Sequence, residues 1–272
     1  MRLLSGLDHL VVQDLFLTAT AQLADVVLPA ASTLGESEGT VTSSERRVQR
    51  VRKALDPPGE AREDPAIVYE LARRMGHDLG SPRAEDLWNE LRSLSPVHAG
   101  MSYARLEELG GIQWPCRDEN DPGQLFLHGR LWDDVVDDPA PFQCVEHSPP
   151  VDLLDDDFPL RLTTGRRLES FNTGVQSNRF SSPLHVGGEA ILLAPADGER
   201  YGVADGARAR IVSRRGSVEA PVRYDPTLRP GLAFMNLHFP DLVATNVLTI
   251  DATDPKSGTA EFKATAIRLE AV

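Results

Sequence analysis

The residues most capable of chemistry lie in one short stretch, Thr163 to Gly174, which reads TTGRRLESFNTG. It follows a strand-like run and ends on a second glycine, a pattern suited to holding an anion. Gly165 lets the backbone approach a ligand closely because no Cβ intervenes. Thr163, Thr164 and Thr173 offer hydroxyls, and Arg166 offers a planar fork of five donors that suits a phosphate or a ring carbonyl. An ordinary strand-to-loop turn has the same composition, so the stretch alone leaves both readings open. Asn246 stands between Thr245 and Val247 in a run that reads as buried; an amide there needs partners, and a ligand is one source of them. Asp64 precedes Pro65 in the manner of an N-cap before a first-turn proline, and its carboxylate suits capping, ligation, or both.

These groups need a framework, and the chain supplies two kinds. Between Leu7 and Ala30, HLVVQDLF, a short TATAQLA helix and DVVLPA alternate as strand, helix and strand, an α/β pattern that leaves part of a sheet edge open to a partner strand. Gly39 to Lys53 reads as a hairpin with a basic second arm, its arginines placed in solvent. A helix starts at Asp64, presents Ile67, Val68, Leu71, Ala72 and Met75 on one face and stops at Gly76; a second, Ala84 to Leu94, uses Leu87, Trp88, Leu91 and Leu94, and a third runs from Tyr103 to Leu109. The first two stripes are read as core rather than as ligand contacts. Pro, Gly and Asp then become frequent, with Asp133, Asp134, Asp137, Asp138 and Asp155 to Asp157 marking a linker. Beyond it come PLRLTTG, AILLAP, ARARIVSRRG, SVEAPVRYD, LAFMNLHF and KATAIRLE, interrupted by one short helix at Pro195 to Tyr201. So many short strands predict a closed barrel, because closure removes exposed edges. The organisation is thus a partial α/β domain over residues 1–110, a linker over 111–157 and a β-rich barrel over 158–272.

Composition narrows the partners. The 272 residues, 41% of them hydrophobic, are enough for one large or two modest domains. With 28 basic against 41 acidic side chains, the net charge of -13 repels a phosphate backbone, so no nucleic-acid partner is expected. No apolar run approaches the roughly 20 residues of a membrane span, and the N-terminus lacks the pattern of an export signal, so a cytoplasmic chain is expected. Cys116 and Cys144 are too few and too far apart for a cluster or a zinc knuckle and read as reduced, structural thiols.

The stretch TTGRRLESFNTG resembles the TGRxxExxxTG segment that opens the dinucleotide-binding domain of the molybdopterin oxidoreductases. PADGERYGVADGARARIVSRRGSVEAPVRYDPTLRPGLAFMNLHF resembles that family's barrel hairpins, and NVLTIDATDPKSGTAEFKATAIRLE its closing segment. Upstream, VVQDLFLTATAQLADVVLPAAS, ERRVQRVRKALDPPGEAREDPAIVYELARRMG and GGIQWPC resemble the formate dehydrogenase branch. The resemblance implies an aspartate decarboxylase-like, double-psi barrel and a molybdopterin guanine dinucleotide carrying molybdenum or tungsten. By matching motif, Thr164, Gly165, Arg166, Leu168 and Thr173 would line the pterin and pyrophosphate, with His238 near the pterin, Asn246 contacting it and Lys263 as the terminal lysine. Gln13, Asp14 and Asp64 match positions that hold the nucleotide end, where a carboxylate suits the ring N–H and exocyclic amine of guanine. His238 reads equally as a satisfied core histidine, and Lys263 as a solvated charge.

The departures from the family pattern carry information too. In GESEG, Ser37 replaces a lysine that would contact the nucleotide; Gly258 and Ala260 replace a common lysine and proline; and the segment after Leu127 lacks the usual PTPDGKARF-like phrase. Weaker affinity than in relatives is expected. The family's iron-sulfur cysteines, its metal-ligating cysteine or selenocysteine and the adjacent histidine have no counterpart here, so no catalytic residue is assigned. The expectation is the cofactor-holding C-terminal part of a formate dehydrogenase-like oxidoreductase, its catalytic half and any iron-sulfur cluster lying in a partner chain or elsewhere in the same gene. The alternatives are a structural subunit like the large iron-sulfur subunit of NADH-quinone oxidoreductase, and a truncated, inactive product. The retained Arg166, Asn246 and Lys263 favour the first.

Overall fold

A computed structural model of the chain describes residues 3–127, 142–168, 170–179 and 188–272. The linker positions Asp133, Asp134, Asp137 and Asp138 lie outside them. Two units are distinguished, Met1–Phe142 and Gln143–Val272.

In the first unit, the valine-rich strands β1 (Val11–Asp14) and β2 (Val26–Pro29) pair in parallel, Val11 opposite Val26 and Asp14 opposite Pro29. Their connection holds only a single 3-10 turn at Ala21–Leu23 instead of the expected helix. The reason is local: the Thr18 hydroxyl accepts the Ala21 N–H at 3.2 Å, the kind of side-chain bond that competes with a helical ladder. Strands β3 (Gly39–Thr42) and β4 (Arg47–Val51) form the expected hairpin, turning through Arg46 at φ 67°. The stretch read as the start of the linker supplies β5 (Ile112–Gln113), which pairs with β4, and the buried Cys116.

The hairpin arginines are not simply solvated. The Arg46 guanidinium donates to the carbonyls of Trp114, Gln124 and Leu125, and the Arg50 guanidinium lies 3.6 Å over the Tyr103 ring while pairing with Glu38. Helices α1 (Asp64–Arg74), α2 (Ala84–Leu94) and α3 (Tyr103–Glu108) follow, and Val48, Trp88, Met101, Tyr103, Leu106, Ile112 and Cys116 make the core. The stripes of α1 and α2 were expected in that core, but only Ile67 and Trp88 are buried; Val68, Leu71, Met75, Leu91 and Leu94 are exposed. An apolar stripe records the capacity for burial, and packing alone decides whether it is used. Both cysteines are free; Cys116 is buried, in keeping with the structural reading of both, whereas Cys144 is exposed and does not fit it.

The second unit is built around a barrel. Strands β6 (Leu160–Gly165), β7 (Ile191–Leu193), β8 (Arg208–Ser213), β9 (Ser217–Tyr224), β10 (Leu232–Asn236) and β11 (Thr265–Ala271) close in the order β10-β6-β11-β8-β9-β7. The pairs β6–β10 and β7–β9 are parallel and the others antiparallel. Period-two alternation drives this: Leu160 and Leu162 of β6, Ala209 and Ile211 of β8 and Ala233 and Met235 of β10 are all fully buried. Helix α4 (Pro195–Tyr201) starts on proline and ends at Gly202 in the left-handed region, φ 67°. The buried Asp152 carboxylate accepts the Ala266 N–H at 2.7 Å and is paired with Arg214, which ties the segment entering β6 to β11. Among the described residues no helix is long and apolar enough to cross a membrane.

Candidate functional site

Because β6 and β10 run parallel with Gly165 opposite Asn236, the loop after one and the segment after the other leave the barrel side by side. The loop is the Thr163–Gly174 stretch, and what fixes it is His238. This side chain is wholly buried; its Nε2 accepts the Arg167 N–H at 2.8 Å and its Nδ1 lies 2.6 Å from the Asn172 carbonyl oxygen. A carbonyl can only accept and an amide N–H can only donate, so the ring is the neutral tautomer with its proton on Nδ1. Asn178 Nδ2 donates to the His238 carbonyl at 2.6 Å, and Asn236 Oδ1 accepts the His238 N–H at 3.0 Å. The satisfied-histidine reading therefore holds, and both ring partners belong to the candidate loop: His238 is a peg on which the loop hangs.

Glycine is required at two points of this arrangement. A Cβ on Gly165 would come within 2.8 Å of the Phe234 ring, so this glycine serves packing as well as any ligand. Gly174, at φ 74°, would place a Cβ 2.4 Å from the His238 carbonyl oxygen and 2.1 Å from Asn178 Nδ2. Arg166 is exposed and one arm of its fork donates to Asn172 Oδ1 at 2.6 Å; Leu168 is fully exposed and Thr173 is exposed. Thr164 is buried, its hydroxyl donating to the Phe262 carbonyl at 3.1 Å.

Beside the loop lies a concavity of about 240 Å³ lined by Thr173, Leu237, Pro240, Ala244, Thr245, Asn246 and Phe262. It brings together Thr173 and Asn246, two of the expected residues; Lys263, exposed, follows Phe262 with its Nζ 5.9 Å from that ring's centroid. The burial expected of Asn246 belongs instead to its neighbour. Asn246 is exposed and its Oδ1 accepts from the Thr249 hydroxyl at 2.8 Å, whereas Thr245 is 1% exposed and its hydroxyl has no partner among the described residues. The 3-10 turn Thr245–Val247 turns one residue inward and the next outward. Glu189 was also missed. It is 3% exposed, its Oε1 accepts the Asn236 N–H at 2.9 Å and its Oε2 is buried with no partner among the described residues. Burial pushes its carboxyl up to about 8, against the lowering effects of the Asn236 N–H, the Arg167 charge and the Ala190 N–H. A glutamate among glycines reads as solvated, and nothing in the sequence marks it as desolvated.

In the first unit the structure joins Gln13, at the end of β1, to Asp64: the Gln13 amide donates to Asp64 Oδ1. Asp64 is the first residue of α1 and not its cap. Glu63 holds the cap position without a side-chain bond, so the capping reading is corrected, and the Asp64 carboxylate keeps only the favourable field of the helix start. Asp14 Oδ1 accepts the Phe16 N–H at 3.1 Å. Gln13 and Asp64 are exposed and Asp14 is half-buried, so this is an accessible polar edge. Ser37, standing where a lysine was expected, donates to the Ser32 carbonyl at 3.0 Å and closes its own turn.

Comparison with known proteins bears on both units. Residues 160–266 match the family described as the molydopterin dinucleotide binding domain, and residues 2–74 the one described as molybdopterin oxidoreductase. The alpha subunit of a formate dehydrogenase from Methanococcus maripaludis is 42% identical across 99% of this chain and 40% of its own length. The assimilatory nitrate reductase catalytic subunit of Bacillus subtilis is 36% identical across 98% of this chain and 38% of its own length. Among solved structures, the acetylene hydratase of Pelobacter acetylenicus matches with a TM-score of 0.64 at 20% identity, covering 99% of this chain and 41% of that one, a likeness of fold. The chain thus spans about 40% of the length of the curated relatives it matches.

Proposed function

Since the chain belongs to the molybdopterin oxidoreductases and carries their dinucleotide-binding domain, we propose that it binds molybdopterin guanine dinucleotide as the C-terminal part of a formate dehydrogenase-like enzyme. The observation that carries this reading is the loop from Thr163 to Gly174, held by the His238 peg beside a concavity that gathers Thr173 and Asn246. The chemistry of the site fits such a ligand. Arg166 supplies exposed guanidinium donors for pyrophosphate, Asn246 an exposed amide for a pterin edge, and the orphaned Thr245 hydroxyl is a buried group that a ligand would satisfy. Lys263 adds a cation to the same end, and Thr164, Gly165, Leu168 and Thr173 shape the wall. In the first unit Gln13, Asp14 and Asp64 would hold the guanine, the carboxylate oriented by the Gln13 amide.

When bound, the cofactor supplies a molybdenum or tungsten centre for two-electron transfer. This chain's residues bind and orient; the metal ligand, any iron-sulfur cluster and the groups that handle formate are assigned to the remainder of such an enzyme or to a catalytic partner. The double-psi form of the barrel belongs to this proposal and is supported by the two parallel pairs, β6–β10 and β7–β9. A cytoplasmic location belongs to it as well.

The test is anaerobic titration of the full chain with cofactor released from a known molybdenum enzyme, followed by equilibrium dialysis. One equivalent binds, Arg166→Ala and Asn246→Ala each weaken binding about tenfold, which is about 1.4 kcal/mol, and the chain alone oxidises no formate. If nothing binds even when the catalytic portion of a relative is added, the non-catalytic structural reading replaces this one.

A further inference from the structure

We propose that Glu189 is a positioning residue for the cofactor loop, acting through Asn236 and His238, and that its proton determines whether the loop stays pegged. The path is continuous. Glu189 Oε1 accepts the Asn236 N–H at 2.9 Å, Asn236 Oδ1 accepts the His238 N–H at 3.0 Å, and the His238 ring holds the Arg167 N–H and the Asn172 carbonyl. The other carboxyl oxygen, Oε2, is buried and has no hydrogen-bond partner among the described residues.

An ionised carboxylate in that position is incompletely paired even with the Asn236 and Ala190 N–H groups acting on it, and a buried charge without full pairing is costly. The charged group that acts on it is Arg167, whose own backbone is tied to the peg. Drawing the Arg167 side chain fully onto the carboxylate therefore pulls against the Arg167 N–H bond to His238. Two arrangements follow: a neutral acid with the loop pegged, and a carboxylate with Arg167 recruited and the loop released. The upward displacement of the carboxyl to about 8 sets the transition at mildly alkaline pH. Among the described residues the titratable group on this path is His238, reached through Asn236, and the strands β7 and β10 carry no ionisable side chain. Only the consequence for cofactor affinity rests on the function proposed above; the coupling is internal to the barrel unit.

The experiment is carbon and nitrogen NMR of the His238 ring and the Arg167 amide in the full, ligand-free chain between pH 6 and pH 9.5. The wild type shows the Nδ1–H tautomer at low pH and loses it, together with the Arg167 amide position, in a transition near pH 8. Glu189→Gln abolishes the transition and keeps the pegged signals throughout. Arg167→Gln, which leaves the barrel core untouched, moves the transition to higher pH because the carboxylate has lost its cation. A wild-type spectrum constant over the range, an unchanged transition in Glu189→Gln, or an unmoved one in Arg167→Gln would overturn the proposal. Cofactor affinity measured alongside falls above pH 8 in the wild type and is level in Glu189→Gln. A chain that shows the NMR transition but binds no cofactor keeps this inference and loses the functional one.

Discussion

Replacing Glu189 by glutamine turns a pH-sensitive buried acid into a permanently neutral group, and the effect on stability follows from the structure. The carboxyl is raised from 4.5 to about 8, burial being the largest cause. A raised acid holds its proton in the folded chain over a range where the unfolded chain has released it. Wild-type stability therefore falls as pH rises from about 4.5 to about 8 and is level on either side. Linkage across that interval amounts to about 3 kcal/mol at pH 7 and about 5 kcal/mol above pH 8, a large share of the stability of one domain. Glutamine can still accept the Asn236 N–H, but its amide sits where Oε2 has no partner among the described residues, which adds a pH-independent cost of about 1–3 kcal/mol. The slope with pH, not the offset, carries the prediction. Trp88, Trp114 and Trp132 all precede residue 143 in the sequence, so a probe within the barrel unit itself is needed. Native-state hydrogen exchange of the slowest β7 and β10 amides reads it directly, and comparing both proteins at matched pH cancels the intrinsic exchange rate. Glu189→Gln gains on the wild type by several kcal/mol between pH 5 and pH 8. A difference that stays constant across that range would refute the reasoning, because it would mean that the carboxyl is not held neutral by burial.

Gly174→Ala forces a Cβ against Asn178 Nδ2 and the His238 carbonyl at a left-handed backbone position, where the conformation alone costs about 1–2 kcal/mol. Faster exchange of the Arg167 amide and a melting temperature lower by several degrees are expected, and unchanged exchange would dissociate Gly174 from the peg. Gln13→Ala removes the group that orients Asp64; both residues are exposed, so stability changes by less than about 1 kcal/mol while affinity for guanosine diphosphate, read by calorimetry, falls. Equal affinity in the variant would take Gln13 out of the nucleotide site.

Much of the architecture is written in local pattern. Alternation in PLRLTTG or ARARIVSRRG specifies strands because each strand buries one face, and Asp-Pro and Gly mark the ends of α1 because they act on the backbone within a turn. The candidate loop was legible for the same reason: its glycines, threonines and arginine are adjacent in the chain. What the sequence could not determine depends on contacts between distant segments. The ring nitrogens of His238 find partners 66 and 71 residues away, which requires β6 and β10 to be parallel neighbours in a closed barrel. A one-residue phase in a 3-10 turn buries Thr245 and exposes Asn246, a choice composition does not encode. The stripe of α1 announces burial, yet Val68, Leu71 and Met75 are exposed, since hydrophobicity states what a face can do and packing decides what it does. Glu189 is the sharpest case: its side chain is ordinary until the barrel closes around it, because desolvation is a property of the surrounding volume and not of the residue.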